Sequence, residues 1–346
     1  MQQDSWRSGY NARLSRQGKI NDIKDVYISD RKMSGQLIVC MISLLTALAV
    51  SDLICLLALI WNNICLNPLF SQKPFIPFDI FEIVYMTAIW PHVVFSRISA
   101  CITAFICTER CLCIVFPLSV KTKITRERVT VIIVCMTVIM MGSVAPLYYC
   151  NRFSWRFYSS LNRSVLQTDP TRDRQFIEDI VFAIANVSVP CLTFLVVIVT
   201  TAILVIKLTQ KARWRRRFTV QKQSDAMFNR DRMLSKMVIV MSSVFVACYG
   251  PVCIIFIAMI VEKELSIYGD HKNVFGVVLS IAYIMESIHV SMNFIIYYKM
   301  SSRYRAIVRN MFHLGIRHSS RDFNGNIQLS MWLNKQGQDG RNKKEA

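Results

Sequence analysis

Three stretches of this chain, residues 129–149, 180–206 and 237–261, each run for 21 positions or more without one charged side chain. About 20 helical residues cross the roughly 30 Å hydrocarbon layer of a bilayer. Within that layer every backbone N–H and C=O must be satisfied by the protein itself, which leaves helices and closed barrels as the spanning structures. No stretch carries the sustained period-two alternation of an outer-membrane barrel. Three further apolar runs, 36–61, 83–116 and 274–298, complete a set of six expected helical spans, the run 83–116 being interrupted by His92, Arg97, Glu109 and Arg110. A chain that is 53% hydrophobic and only 18% charged is too apolar for an ordinary soluble protein of this length.

The basic residues set a topology. With six spans both ends of the chain share one side, and that side holds 31 of the 41 Lys and Arg residues. Basic residues beside spans stay cytoplasmic, so both termini are expected inside the cell. This placement explains the net charge of +19 through membrane topology, without invoking nucleic acid as a partner. The densest cluster, Arg213 with Arg215, Arg216 and Arg217 in the loop 207–236, suits contact with anionic lipid or docking of a signalling partner.

The sequence divides into a polar amino-terminal segment, 1–35, a membrane bundle, 36–312, and a tail, 313–346, whose composition is that of a disordered segment. Residues 300–312 mix Tyr304, Ile307, Val308 and Phe312 with Arg303, Arg305 and Arg309, as a short amphipathic helix on the inner membrane surface would. Of twelve cysteines, ten lie in or beside apolar runs as small hydrophobes, and only Cys65 and Cys150 fall in expected exterior loops. The exterior loop 150–179 carries the glycosylation sequon Asn162-Arg163-Ser164; Asn186-Val187-Ser188 also matches but lies inside a span. No Gly-x-Ser-x-Gly, His-Glu-x-x-His or paired catalytic aspartates suggest an enzyme.

A charge at the centre of a span costs about 2.5–3.5 kcal/mol on insertion scales, so Asp52 within Leu48-Ala49-Val50-Ser51-Asp52-Leu53 needs a reason. That segment resembles the second helix of rhodopsin-like G-protein-coupled receptors. Glu109-Arg110-Cys111 resembles the Asp/Glu-Arg-Tyr motif of their third helix, with Pro117-Leu118 following. Pro146 and Pro190 are similar to the prolines of the fourth and fifth helices. Phe245 with Cys248-Tyr249-Gly250-Pro251 is similar to the Phe and Cys-Trp-x-Pro elements of the sixth, and Asn293 to Tyr297 to Asn-Pro-x-x-Tyr. Trp90-Pro91-His92 and the segments 104–118, 143–149 and 285–305 resemble the chemosensory receptors of gastropod molluscs.

The resemblance implies an all-α, seven-transmembrane receptor bundle in the plasma membrane, of which six spans are recognisable, equivalent to helices two to seven. It implies a receptor for an extracellular small-molecule or peptide cue that opens an inner crevice to a heterotrimeric G protein. It places Glu109, Arg110, Cys111, Asp231, Tyr249, Pro251, Asn293 and Tyr297 in the activation machinery. Arg110 would pair with Glu109 at rest, and Asp231 would be a further resting partner. Asp52, Ser99 and Asn293 match a sodium-binding position, with His289 beside it; a hydrogen-bond network is the other reading of that group. No other cofactor is implied. His92 lies eighteen residues before Arg110, five turns away on the same helical face. It stands where amine receptors hold an aspartate, so a biogenic amine is not expected. Trp90, Ser96, Tyr249, Tyr283 and Glu286 join it as the expected ligand pocket, and Glu286 and Arg97 are also read as a pair that neutralises itself.

The match departs from the family in three places. Nothing before Gln36 is apolar enough for a first helix, which reads as a truncated gene model. Tyr85 stands where the family's extracellular disulfide begins, leaving Cys65 with Cys150 as the substitute pair. Met136, Tyr249 and Phe294 replace the usual Trp, Trp and Pro. The competing readings are a neuropeptide receptor of the same class, a non-signalling receptor remnant, and a six-helix channel or transporter, which lacks its pore loop and broken-helix pair here.

Overall fold

The computed structural model describes residues 36, 39–71, 77–116, 124–159, 162–217, 225–262, 264, 270–300, 305 and 309. Among the described residues, six helices are long and apolar enough to span a membrane: α1 Val39–Leu66, α2 Ile80–Val115, α3 Arg126–Cys150, α4 Arg174–Arg213, α5 Met233–Val261 and α6 Asn273–Met300. Each coincides with one of the six runs expected from sequence. The chain divides into two compact units after Asn293. In the second, the rings of Phe294 and Tyr298 stack at 6.4 Å, and Met300, Arg305 and Arg309, the described residues of the amphipathic stretch, are helical. The segments 1–35 and 313–346 lie outside the described residues.

Helix starts follow ordinary capping chemistry. Asp79 Oδ1 accepts the backbone N–H of Phe81 and of Glu82 ahead of α2, and Thr125 Oγ1 accepts that of Arg128 ahead of α3. The helices differ sharply in how much protein surrounds them: 61% of the apolar window of α2 is buried within the protein, against 11% for α3. So α2 is the axis of the bundle, which explains why its polar residues are tolerated. The outward faces carry Val131, Val138 and Ile139 on α3, Leu192 and Leu195 on α4 and Ile254 on α5, all exposed and apolar as lipid contact requires.

Two π-helical turns interrupt the bundle, and each stops just short of a proline. Tyr85–Ile89 precedes Pro91, and Ala183–Ser188 precedes Pro190. In a π turn the carbonyl of residue i accepts from the N–H of residue i+5. Trp90 N–H accordingly donates to Tyr85 O, and Val189 N–H to Ile184 O. The next carbonyls in each series, Met86 and Ala185, would need the N–H groups that Pro91 and Pro190 lack. Both orphans are satisfied from another helix: Tyr148 Oη on α3 donates to Met86 O at 2.9 Å, and Arg97 Nε on α2 donates to Ala185 O at 2.9 Å. Each proline thereby creates an acceptor that ties two spans together.

Between α3 and α4 lies a two-stranded antiparallel hairpin, β1 Asn151–Tyr158 with β2 Arg163–Pro170. The sequence does alternate over 152–157, Arg-Phe-Ser-Trp-Arg-Phe, long enough for one strand and far short of a barrel. The second strand is fastened to the start of α2. Asp79 N–H donates to Leu166 O at 2.8 Å and Leu166 N–H to Pro77 O at 2.7 Å. The backbone N–H of Thr168 donates to Glu82 Oε2, as does its hydroxyl at 2.5 Å. Arg174, at the start of α4, stands over the Tyr85 ring at 5.7 Å.

Cys65 and Cys150 are free, buried thiols, so the substitute disulfide expected from sequence is not formed. Cys65 packs into an apolar nest with Val84 and Ala88, bordered by Phe70, Ile80 and Ile89. The hairpin is attached to the start of α2 by the strand contacts and Glu82.

Candidate functional site

Stepping along α2 by three or four residues brings His92, Ser96, Ser99, Thr103 and Arg110 onto one helical face, and all are buried. At 1.5 Å per residue, His92 and Ser99 are about 10 Å apart along the axis and Ser99 and Arg110 about 16 Å. Three polar groups occupy this column.

The group nearest the hairpin centres on Arg97 and Glu286, 1% and 0% exposed. Arg97 Nη1 donates to Glu286 Oε1 at 2.7 Å, Nη2 to Asn186 Oδ1 at 3.1 Å, and Nε to the Ala185 carbonyl described above. Ser96 Oγ donates to Glu286 Oε2 at 2.7 Å and lies 3.1 Å from the Tyr249 hydroxyl. His92 Nε2 stands 3.4 Å from the same carboxylate oxygen, and its Nδ1 is 3.1 Å from Cys55 Sγ. Tyr283 meets the His92 ring edge-on at 5.0 Å, and Phe256 lies beneath the guanidinium at 5.4 Å. One ion pair with its hydrogen-bond shell therefore joins α2, α4, α5 and α6, with α1 attached through Cys55. A buried ion pair repays its desolvation only with good geometry and further hydrogen bonds to its remaining groups, and here Arg97 Nε and Nη2 and Glu286 Oε2 all have such partners.

The middle group is Asp52. Ser99 Oγ donates to its Oδ1 at 2.5 Å and Asn293 Nδ2 to its Oδ2 at 3.1 Å, linking α1, α2 and α6. Among the described residues, Asn293 Oδ1 is buried without a hydrogen-bond partner. The oxygens of Asp52, Ser99 and Asn293 are of the donor chemistry that a hard cation takes. His289 sits instead beside a pair of aromatic rings, edge-on to Phe245 and to Tyr249 at 5.2 Å each, while those two rings stack at 4.3 Å.

At the far end, Arg110 binds its neighbour Glu109 through two bonds, Nε to Oε2 at 2.9 Å and Nη2 to Oε1 at 3.1 Å, with the carboxylate fully enclosed. This fork-to-fork geometry is the strong form of an Arg–carboxylate contact. Cys111 is buried on the same helix, Tyr297 is buried in the second unit, and Pro251 faces outward on α5. Asp231 lies on the helix Asp225–Val261 with its side chain outside the described residues.

Of the pocket expected from sequence, His92, Ser96, Tyr249, Tyr283 and Glu286 are brought together, while Trp90 packs edge-on against Tyr85 at 5.9 Å. Asn186, visible in the sequence only as a sequon within a span, uses its amide oxygen on Arg97. Cys55 and the Ala185 carbonyl carried no direct signal, although Cys55 lies one turn beyond Asp52 and Ala185 five residues before Pro190. Asn162 occupies the hairpin turn with φ of 46°, a left-handed conformation that asparagine tolerates.

A bundle of spanning helices with a buried polar column on its central member is the architecture of a G-protein-coupled receptor. The fold matches the crystal structure of squid rhodopsin with a TM-score of 0.52 at 16% identity, covering 78% of this chain and 70% of that one. No curated protein matches the chain. The chain belongs to the serpentine type 7TM GPCR chemoreceptor Srw family, whose sequence model matches residues 31–315. It is a multi-pass membrane protein of a receptor family.

Proposed function

We propose that the protein is a rhodopsin-like chemosensory receptor of the plasma membrane, related to the receptors of gastropod molluscs, that detects an extracellular small molecule or peptide and activates a heterotrimeric G protein. The hairpin end of the bundle faces outside and both ends of the chain face the cytosol, in keeping with the distribution of Lys and Arg. The observation that carries the reading is the column along α2. It begins at the Arg97–Glu286 group, passes the Asp52 network and ends at the Glu109–Arg110 pair.

In this mechanism a ligand entering at the hairpin end changes which partners Arg97, Glu286 and Tyr249 keep. It acts only to the extent that it binds one helix arrangement better than the other. The Tyr249 hydroxyl touches Ser96 and its ring stacks on Phe245, so a shift at the hub reaches the middle of α5 directly. Asp52, Ser99 and Asn293 would hold a sodium ion, which supplies a positive charge that stabilises the resting arrangement. Release of Arg110 from Glu109 then exposes a guanidinium to the G protein.

The test is nucleotide exchange on a purified heterotrimeric G protein, with the receptor reconstituted in bilayers and presented with panels of small molecules and peptides. A compound that accelerates exchange with the native receptor, and not with Arg110→Ala at equal surface density, is the expected result. Exchange that persists unchanged in Arg110→Ala removes the column from the mechanism.

A further inference from the structure

The β1 strand has two chemically distinct faces. By its register with β2, one face carries Arg152, Ser154, Arg156 and Tyr158. It is laced by polar contacts: Arg156 pairs with Asp169, and the Tyr158 hydroxyl donates to Gln167 Oε1 at 2.5 Å. The other carries Phe153, Trp155 and Phe157, respectively 46%, 63% and 63% exposed. Four residues at about 3.3 Å each make this an aromatic ladder about 13 Å long. Monomeric soluble surfaces rarely leave such a patch uncovered. Among the described residues, β1 is also the strand of the pair that lacks a second neighbour, since β2 takes the Pro77–Asp79 segment on its other side.

What covers the ladder follows from where it starts. Asn151, the first residue of β1, directly follows Cys150, the last residue of the spanning helix α3. That helix is the least enclosed of the six, so most of its surface meets lipid up to the residue at which the strand begins. Tyr148 and Tyr149, both exposed, carry the aromatic surface down into the span, and Arg152 stands over the Tyr149 ring at 4.9 Å. Aromatic rings interleaved with arginine at the end of a span are the side chains that concentrate at the headgroup level of a bilayer.

We propose that Phe153, Trp155 and Phe157 lie in the interfacial layer of the outer leaflet, so that phospholipid is the partner of this face and the hairpin is anchored from two sides, by α2 and by lipid. The outer-leaflet assignment rests on the orientation proposed above. The contact with lipid itself needs only that α3 spans the bilayer.

The experiment uses the full chain in nanodiscs whose phosphatidylcholine is brominated on its upper acyl carbons. Trp155→Phe is the reference that isolates Trp155 emission from that of the other five tryptophans. The expected result is loss of most Trp155 emission in brominated nanodiscs and no loss to aqueous iodide. The paired variant Phe153→Ser/Phe157→Ser should convert Trp155 from lipid-quenched to iodide-quenched. Iodide quenching in the native chain overturns the proposal. Quenching by neither agent also overturns it, and would mean that protein or a peptide covers the face. Bromine on both sides of the disc makes the outcome independent of orientation, which the sequon at Asn162 reports separately.

Discussion

Arg97 and Glu286, 189 positions apart in sequence, meet at 2.7 Å with neither side chain reaching the surface. The pair holds α2 to α6, and Arg97 Nε and Nη2 donate to α4. Removing one partner leaves an uncompensated buried charge, which costs about 3–5 kcal/mol. Arg97→Met is therefore expected to shorten the half-life of the detergent-solubilised receptor severely, as measured by thermal inactivation. Arg97→Met/Glu286→Leu should recover most of that loss, because both charges go together. A double variant no better than the single one would mean that Asn186 and the Ala185 carbonyl, rather than the ion pair, carry the contact.

The same pair marks the boundary of what the sequence reveals. That Arg97 and Glu286 were ionisable at membrane depth, and could neutralise each other, followed from the cost of an unpaired charge in lipid. The spans 129–149, 180–206 and 237–261 were the most legible, because uncharged length is a one-dimensional property, while 83–116 read less cleanly because His92, Arg97, Glu109 and Arg110 interrupt it. The Asp52, Ser99 and Asn293 group was found by resemblance alone. The acceptors at Met86 and Ala185 were not legible: a proline in an ordinary α-helix orphans the carbonyl four residues back, the π turns move that vacancy one residue further, and which helix supplies the donor depends on packing. The hairpin was read only as a loop, since the alternation in 152–157 is short and its partner strand, Arg163–Pro170, hardly alternates at all.

The orphan carbonyls can be tested through Tyr148. Its hydroxyl is the donor to Met86 O, and Tyr148→Phe keeps the ring while withdrawing that donor. An unsatisfied carbonyl in an apolar setting costs about 1–3 kcal/mol. Thermal unfolding of the variant should report a loss in that range. Tyr148→Phe/Pro91→Ala should lose less, because replacing the proline returns a backbone N–H to the turn. Equal losses would show that the hydroxyl bond is incidental to the π turn.

Sodium is testable at Asp52 without any agonist. If the ion occupies the set formed by Asp52, Ser99 and Asn293, replacing choline by sodium at constant ionic strength should raise the unfolding temperature of the native chain through mass action. Asp52→Asn removes the charge that attracts the ion and should abolish that increment. A salt effect that survives Asp52→Asn, or is matched by choline, assigns the group to hydrogen bonding alone.

The topology has a direct readout at the hairpin turn. Asn162 is the sequon asparagine in a left-handed turn position, exposed and away from any helix. With the hairpin outside, expression in a eukaryotic cell should give a protein whose electrophoretic mass falls after deglycosylation. Asn162→Gln should run at the lower mass with or without the treatment. A native chain that never carries glycan, alongside a surface-accessible tag at the carboxyl terminus, would invert the orientation.

Glu82 is the last contact whose removal separates one role from another. One carboxylate oxygen, Oε2, receives both the backbone N–H and the hydroxyl of Thr168, and it stands in the first turn of α2, just after the cap at Asp79. Because Cys65 and Cys150 remain thiols, the hairpin relies on this contact and on the backbone bonds of Leu166. Glu82→Gln keeps an acceptor but loses the charge that strengthens both bonds, while Glu82→Ala loses both. Amide hydrogen exchange at Leu166 and Thr168 should accelerate modestly in the first and strongly in the second, with the amides of α5 unchanged. A reducing agent should add nothing to either. Acceleration across α2 as well would mean that Glu82 supports the helix start, and that the hairpin is held by its strand contacts alone.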